Sequence, residues 1–134
     1  MAFPGGREEP HDGSLEATAI RETVEEIGLD LSGARRLGRL TPLASPRNAP
    51  IKQLTVVPYV FVVPEWPELR PNEEVAGITM LSVHRLLAGE ARGSFVYPWQ
   101  GADLNLPCVR LDGTLLWGMT LKMVDELLDG IGRR

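Results

Sequence analysis

Cysteine is almost absent from this 134-residue chain: Cys108 stands alone, so neither an internal disulfide nor a cysteine-based zinc site can form. That usage fits a reducing compartment, and a cytoplasmic protein is expected. A basic excess is missing as well. Fourteen Lys and Arg against eighteen Asp and Glu give a net charge of -4, which removes the global positive field that holds a nucleic-acid backbone, so nucleic acid is not expected as a partner. Long hydrophobic runs are lacking too. The longest, Val56 to Val63, is broken by Pro58 and Tyr59 and is less than half of the ~20 residues that cross a bilayer as a helix, so no membrane partner is expected. Met1 to Gly6 leads into a charged stretch without an apolar signal core, so export is not expected either. Internal repeats and low-complexity tracts are also missing.

What remains is an ordinary globular composition, 43% hydrophobic and 24% charged, in a length that suits one domain. Ser14 precedes Leu15 to Ile27, and Gly28 follows; these are start and stop signals of a helix. Ile20, Val24 and Ile27 share one stripe of that helix, with Glu22, Glu25 and Glu26 roughly opposite. One strand is predicted over Arg35 to Leu43. A second, over Leu54 to Val63, reads as buried on both faces, with Pro58 marking a bulge or an edge. Thr41 to Pro50 reads as a surface loop, as does Pro64 to Asn72. Val75 to Val83 is a further strand candidate, followed by a short helical turn to Ala88 that Gly89 ends. Asp112-Gly113 carries the signature of a tight hairpin between Cys108 to Leu111 and Thr114 to Trp117. A last helix is predicted from Gly118 to Asp129, with a core stripe of Trp117, Leu121, Val124, Leu128 and Ile131 and a stop at Gly130. Strands mixed with an early and a late helix indicate an α/β domain.

The chemistry is concentrated on the first helix. Glu22, Glu25 and Glu26, at i, i+3 and i+4, form a dense negative patch whose repulsion a divalent cation would relieve. Oxygen-only ligands favour Mg2+ or Mn2+, which bridge carboxylates to substrate phosphates. Arg21 can pair with a neighbouring carboxylate and hold its orientation. A solvated helix face is the plain alternative for three glutamates.

The arginine and the glycines around them argue otherwise. Arg21-Glu22-Thr23-Val24-Glu25-Glu26-Ile27-Gly28-Leu29, with Gly5-Gly6 upstream, resembles the signature of the Nudix hydrolases. Ala2-Phe3-Pro4-Gly5-Gly6, the one-residue-longer spacing before Arg21, Tyr97-Pro98-Trp99 and Leu116-Trp117-Gly118-Met119-Thr120 resemble the coenzyme A pyrophosphatase branch. The resemblance implies an α/β/α sandwich with a mixed sheet. It also implies that Glu22, Glu25 and Glu26 hold the metals, that Arg21 orients them, and that the Gly5 carbonyl completes a coordination sphere. The glutamate that usually sits between the glycine pair and the arginine has no unambiguous counterpart: position 13 is Gly13, and the nearest acids are Glu9 and Asp12. Thr23 replaces the commoner aliphatic residue.

Members of this family often recruit one more acid from a later loop, and Glu73 and Glu74 are offered just before the Val75 strand candidate; Glu74 is preferred. Glu25, Glu26 and Glu74 are therefore the candidates to accept a proton from the attacking water. Arg35, Arg36, Arg39, Arg47 and Lys52 make a basic middle segment, within which Arg47 and Lys52, in or beside the proline-rich loop, are the substrate-phosphate candidates; a solvated edge is the alternative. His11 and His84 receive no role, and Cys108 reads as a packed thiol.

The branch carries a strand and an arginine-containing motif before Phe-Pro-Gly-Gly, whereas this sequence starts at Met1 inside that motif. Residues 1–134 are accordingly expected to be a single Nudix domain without its N-terminal strand, which would expose a sheet edge and leaves a homodimer open. The resemblance implies a small-molecule nucleotide substrate, with coenzyme A or acyl-coenzyme A cut to 3',5'-ADP and (acyl)phosphopantetheine. Pyrophosphatase action on ADP-ribose or another nucleotide sugar is the alternative reaction, and a catalytically weak binding or regulatory module is the alternative class.

Overall fold

The computed structural model describes residues 1–45 and 53–132. The chain divides into two compact units, one formed by Phe3–Ile78 and the other by Thr79–Arg134 with Met1–Ala2.

The Phe3–Ile78 unit begins with α1 (Leu15–Ile27), capped as its sequence predicts. The Ser14 hydroxyl accepts from the Ala17 amide, and Gly28, at φ 70°, donates its amide to the Val24 carbonyl at 2.9 Å. The buried residues are not the predicted stripe, however. Thr18 and Thr23 are the buried ones and Val24 is 45% exposed. Threonine can take those places because its hydroxyl finds an acceptor: Thr18 Oγ1 shares its proton between Asp12 Oδ2 at 2.9 Å and the Ser14 carbonyl at 3.1 Å, and Thr23 Oγ1 donates to the Ala19 carbonyl at 2.7 Å.

Four short strands follow: β1 (Arg35–Arg39), β2 (Leu43–Ala44), β3 (Thr55–Val56) and β4 (Tyr59–Val62). β1 pairs with β4 and β2 with β3, both antiparallel. Each of the two long strands read from the sequence is thus broken in the middle, next to a proline that lacks a donor. Pro42 precedes β2, and Pro58, between β3 and β4, offers only its carbonyl, to the Leu40 amide. The Leu54 to Val63 segment is not buried on both faces: Val56 and Val62 are 37% and 40% exposed. A bulge between Arg36 and Gly38 shifts the β1–β4 register, so that Arg36 opposite Phe61 and Arg39 opposite Tyr59 fall on one face. The strand candidate over Val75 to Val83 forms no strand; Val75 closes a turn on Asn72, and Gly77 gives the following exposed stretch no side chain to pack.

In the second unit, α2 (Val83–Leu87) starts at Ser82, whose hydroxyl accepts from the Arg85 amide, and Gly89 follows at φ 74°. β5 (Arg92–Trp99), β6 (Ala102–Leu111) and β7 (Thr114–Leu116) form an antiparallel meander. Both turns, Gln100-Gly101 and Asp112-Gly113, hold positive φ at both residues, the twist that two-residue hairpins require. The sequence reading missed β5 and the first half of β6. α3 (Gly118–Gly132) packs Leu121, Val124 and Leu128 with Leu86, Val109, Leu111 and Leu116. It runs through Gly130 instead of stopping there, because the ~1 kcal/mol cost of one helical glycine does not by itself end a packed helix. Trp117 and Ile131, expected in its core stripe, are each 37% exposed.

Every pairing among the described residues is antiparallel, so the parallel part of a mixed sheet is not among them. A parallel pair needs a crossover of a dozen or more residues, whereas the β5–β6–β7 turns have two. Among the described residues, no helix is long and apolar enough to cross a membrane.

Candidate active site

Arg21 organises the glutamate face of α1. Its Nε donates to Asp12 Oδ1 at 2.7 Å and its Nη2 to Asp12 Oδ2 at 3.0 Å and to the Arg7 carbonyl at 3.2 Å. Nη1 donates to Glu22 Oε1 at 3.2 Å and to Glu25 Oε2 at 3.1 Å. The planar fork therefore spans one acid before the helix and two acids on it, in the bidentate manner that only arginine offers.

Asp12 is held as firmly as it holds. Its side chain is 2% exposed, and it also accepts from the Glu9 amide at 2.8 Å and the Thr18 hydroxyl at 2.9 Å. The Arg21 guanidinium, followed by the Glu9 amide, keeps its carboxyl well below the usual carboxylate range. The sequence reading placed Asp12 only among the nearest acids. The unused signal was the Asp12-Gly13 dipeptide, a turn whose glycine sits at φ 78°.

The glutamates themselves differ. Glu22 is not on a solvated face, as its side chain is 15% exposed against 54% for Glu25. Burial pushes its carboxyl up, against the pull of Arg21, and the charges of Glu25 and Glu26 push the same way. Gly6 lies directly against the Glu22 carboxylate, where any side chain would overlap it, whereas nothing stands within 4 Å of the Cβ direction of Gly5. Gly5 meets the site through its amide, which donates to Glu26 Oε1 at 3.2 Å. The Gly5-Gly6 segment is thus a close backbone approach to two of the three glutamates.

The later loop reaches the same helix. The Arg70 amide donates to the Ile27 carbonyl and the Asn72 amide to the Glu26 carbonyl at 2.8 Å, and Asn72 Oδ1 accepts from the Glu74 amide. Glu74 therefore follows closely on a backbone bond to Glu26. Arg47 and Lys52 lie outside the described residues. A cavity of about 250 Å³ lined by Asp30, Gly33, Ala34, Val63, Pro64 and Glu65 includes none of the expected site residues.

The donor chemistry suits a hard divalent cation: three carboxylates on adjoining turns, one of them desolvated and opposed by its neighbours' charge. Among the described residues, no three acids, histidines or cysteines already converge as ligands. Arg21 draws Glu22 and Glu25 together while Glu26 turns to Gly5.

Residues 1–100 match the NUDIX domain family. The chain belongs to the Nudix family. Its Nudix sequence is 32% identical over 128 residues to the protein named Uncharacterized Nudix hydrolase NudL from Yersinia pestis (strain Pestoides F), and equally to that from Yersinia pseudotuberculosis serotype O:1b (strain IP 31758). The alignment covers 95% of this chain and 62% of each relative. The signature read on α1 and the Gly5-Gly6 pair thus lie within a matched Nudix domain, of α/β class as expected.

Proposed function

We propose that this chain carries the centre of a divalent-cation-dependent Nudix pyrophosphohydrolase, acting on coenzyme A or acyl-coenzyme A to yield 3',5'-ADP and (acyl)phosphopantetheine. The observation that carries the reading is the Asp12–Arg21 clamp, which fixes two adjacent glutamates of the signature in one orientation. Glu22, Glu25, Glu26 and the Gly5 carbonyl would hold the cation. A bound divalent cation supplies charge neutralisation at the pyrophosphate and lowers the pKa of water. Arg21 positions Glu22 and Glu25. Water adds to one phosphorus, the bridging P–O bond breaks, and the released proton passes to Glu25, Glu26 or Glu74. Arg47 and Lys52 take substrate phosphates. Coenzyme A is supported by Phe3-Pro4-Gly5-Gly6, Tyr97-Pro98-Trp99 and Leu116-Trp117-Gly118 in this sequence. A cytoplasmic location is supported by the lone reduced thiol of Cys108, 2% exposed.

The test is Mg2+- or Mn2+-dependent turnover of coenzyme A, ADP-ribose, NADH and dinucleoside polyphosphates, with products separated by chromatography. Coenzyme A is expected to be cleaved best, and Glu25→Gln and Glu26→Gln each to lose orders of magnitude in rate. Preference for ADP-ribose would replace the substrate. No turnover of any compound would leave a binding module.

A further inference from the structure

A distant loop finishes the C-terminal end of α1. The last carbonyls of a helix have no partner within it. At α1 the Gly28 amide takes the Val24 carbonyl, while Ile27 and Glu26 are filled from outside, by the Arg70 amide at 2.9 Å and the Asn72 amide at 2.8 Å. Pro71, between those two donors, has no amide to leave unsatisfied. The approach is close enough that a Cβ on Gly28 would stand 3.4 Å from the Arg70 Cβ. Glu26 is thereby pinned twice, its carbonyl by Asn72 and its carboxylate by the Gly5 amide at 3.2 Å.

Asn72 is the joint of this loop. While its amide reaches α1, its Oδ1 accepts from the Glu74 amide at 3.0 Å and its carbonyl from the Val75 amide at 3.2 Å. A short polar side chain that bonds the backbone two residues ahead fixes a turn, which asparagine, aspartate and serine can do and alanine cannot. Asn72 is half-buried, and Glu73 and Glu74 on the turn are exposed. Electrostatics alone would send that turn elsewhere. The end of α1 is the negative pole of the helix dipole, and its last turn carries Glu25 and Glu26 with no basic residue, so two more acids are repelled from it. Arg21 is engaged by Glu22 and Glu25, and the loop's own cation, Arg70, is turned to Glu68 at 3.7 Å. Neutral hydrogen bonds therefore hold the acidic turn where charge opposes it.

We infer that Asn72 is a positioning residue: it ties the Glu73-Glu74 turn to the Glu26 end of α1 and so sets where the Glu74 carboxylate stands when it accepts the proton of the attacking water. The inference rests on the pyrophosphohydrolase reading and narrows its proton acceptor to Glu74.

The test uses the full chain, with steady-state kinetics in Mg2+ and amide hydrogen exchange followed by nuclear magnetic resonance in EDTA. Asn72→Ala keeps the amide bond to Glu26 and loses only the side-chain acceptor. It should lower kcat about ten-fold or more with KM changed far less, and Asn72→Ser, whose hydroxyl makes the same turn bond without a charge, should recover most of the loss. In a Glu74→Gln background, already slow, Asn72→Ala should cost no further kcat, whereas a residue that only supported the fold would cost the same in both backgrounds. The Glu74 amide should exchange severalfold faster in Asn72→Ala than in the wild type or in Asn72→Ser. Given a wild type that turns over, the inference is overturned by unchanged kcat in Asn72→Ala or in Glu74→Gln, by equal costs in the two backgrounds, or by unchanged exchange at Glu74 in Asn72→Ala. Absence of turnover in the wild type is the failure of the pyrophosphohydrolase reading, and with it goes the reaction that Asn72 would serve.

Discussion

Asp12 receives Arg21 with both carboxylate oxygens, at 2.7 and 3.0 Å, and so a turn residue outside the helix sets the position of the glutamates on it. Asp12→Asn keeps the size and removes the charge and one acceptor. The loosened guanidinium should cost about 10- to 100-fold in kcat, as small misplacements of a reacting site do, with KM changed far less. Steady-state kinetics with Mg2+ on both proteins measures it.

The same pair fixes a pH dependence. Because Arg21 holds the folded-state pKa of Asp12 below its unfolded value of about 3.9, the stabilisation is fully present above that value and is lost as pH falls further towards the folded pKa. The difference in Tm between wild type and Asp12→Asn should stay constant from pH 7 to pH 5 and shrink below about pH 4. Melting curves across that range check it; a difference growing towards acid would contradict the clamp.

Glu22 carries the opposite sign. Burial raises its folded-state pKa above the ordinary glutamate value of 4.5, so the wild type loses stability as pH rises through the raised pKa. In EDTA, Glu22→Gln should melt higher than wild type at neutral pH, with the advantage gone below the unfolded glutamate pKa. Saturating Mg2+ or Mn2+ should raise the Tm of the wild type and not that of the variant. Calorimetric scans at two pH values, with and without metal, measure both.

The two signature glycines should respond unequally. An alanine methyl at Gly6 overlaps the Glu22 carboxylate, whereas at Gly5 it meets open space. Gly6→Ala is expected to push the Glu22 carboxylate, the flexible end of its side chain, out of place and so to lower turnover with little loss of stability, and Gly5→Ala to stay near wild type in both. Denaturant titration and turnover of the two variants check this.

Leu116 is fully buried beneath α3. Leu116→Ala should destabilise by about 2–5 kcal/mol, read as a lower denaturation midpoint at unchanged slope.

Local rules wrote several parts of the fold into the sequence. Ser14 and Gly28 bound α1 because a hydroxyl and a left-handed glycine satisfy helix ends within a few residues. Asp112-Gly113 made its hairpin because the turn's positive φ values are a property of those two residues. The spacing of Arg21, Glu22, Glu25 and Glu26 carries the signature within a single helix of the sequence.

Tertiary structure alone decided the rest. β5 was hidden because its Gly93-Ser94 start and Pro98 look like a loop until β6 supplies the hydrogen bonds. The buried side of α1 passed from Val24 to Thr18 and Thr23 because their hydroxyls found acceptors that a hydropathy pattern does not count. Asp12 became the partner of Arg21 nine residues away through a turn whose direction no spacing rule gives, and Glu22 became desolvated because the Gly5-Gly6 backbone folds back against it. Sequence named the charged groups; the approach of distant backbone set which of them are buried, paired and shifted in pKa, because desolvation and hydrogen bonding depend on what surrounds a group in space.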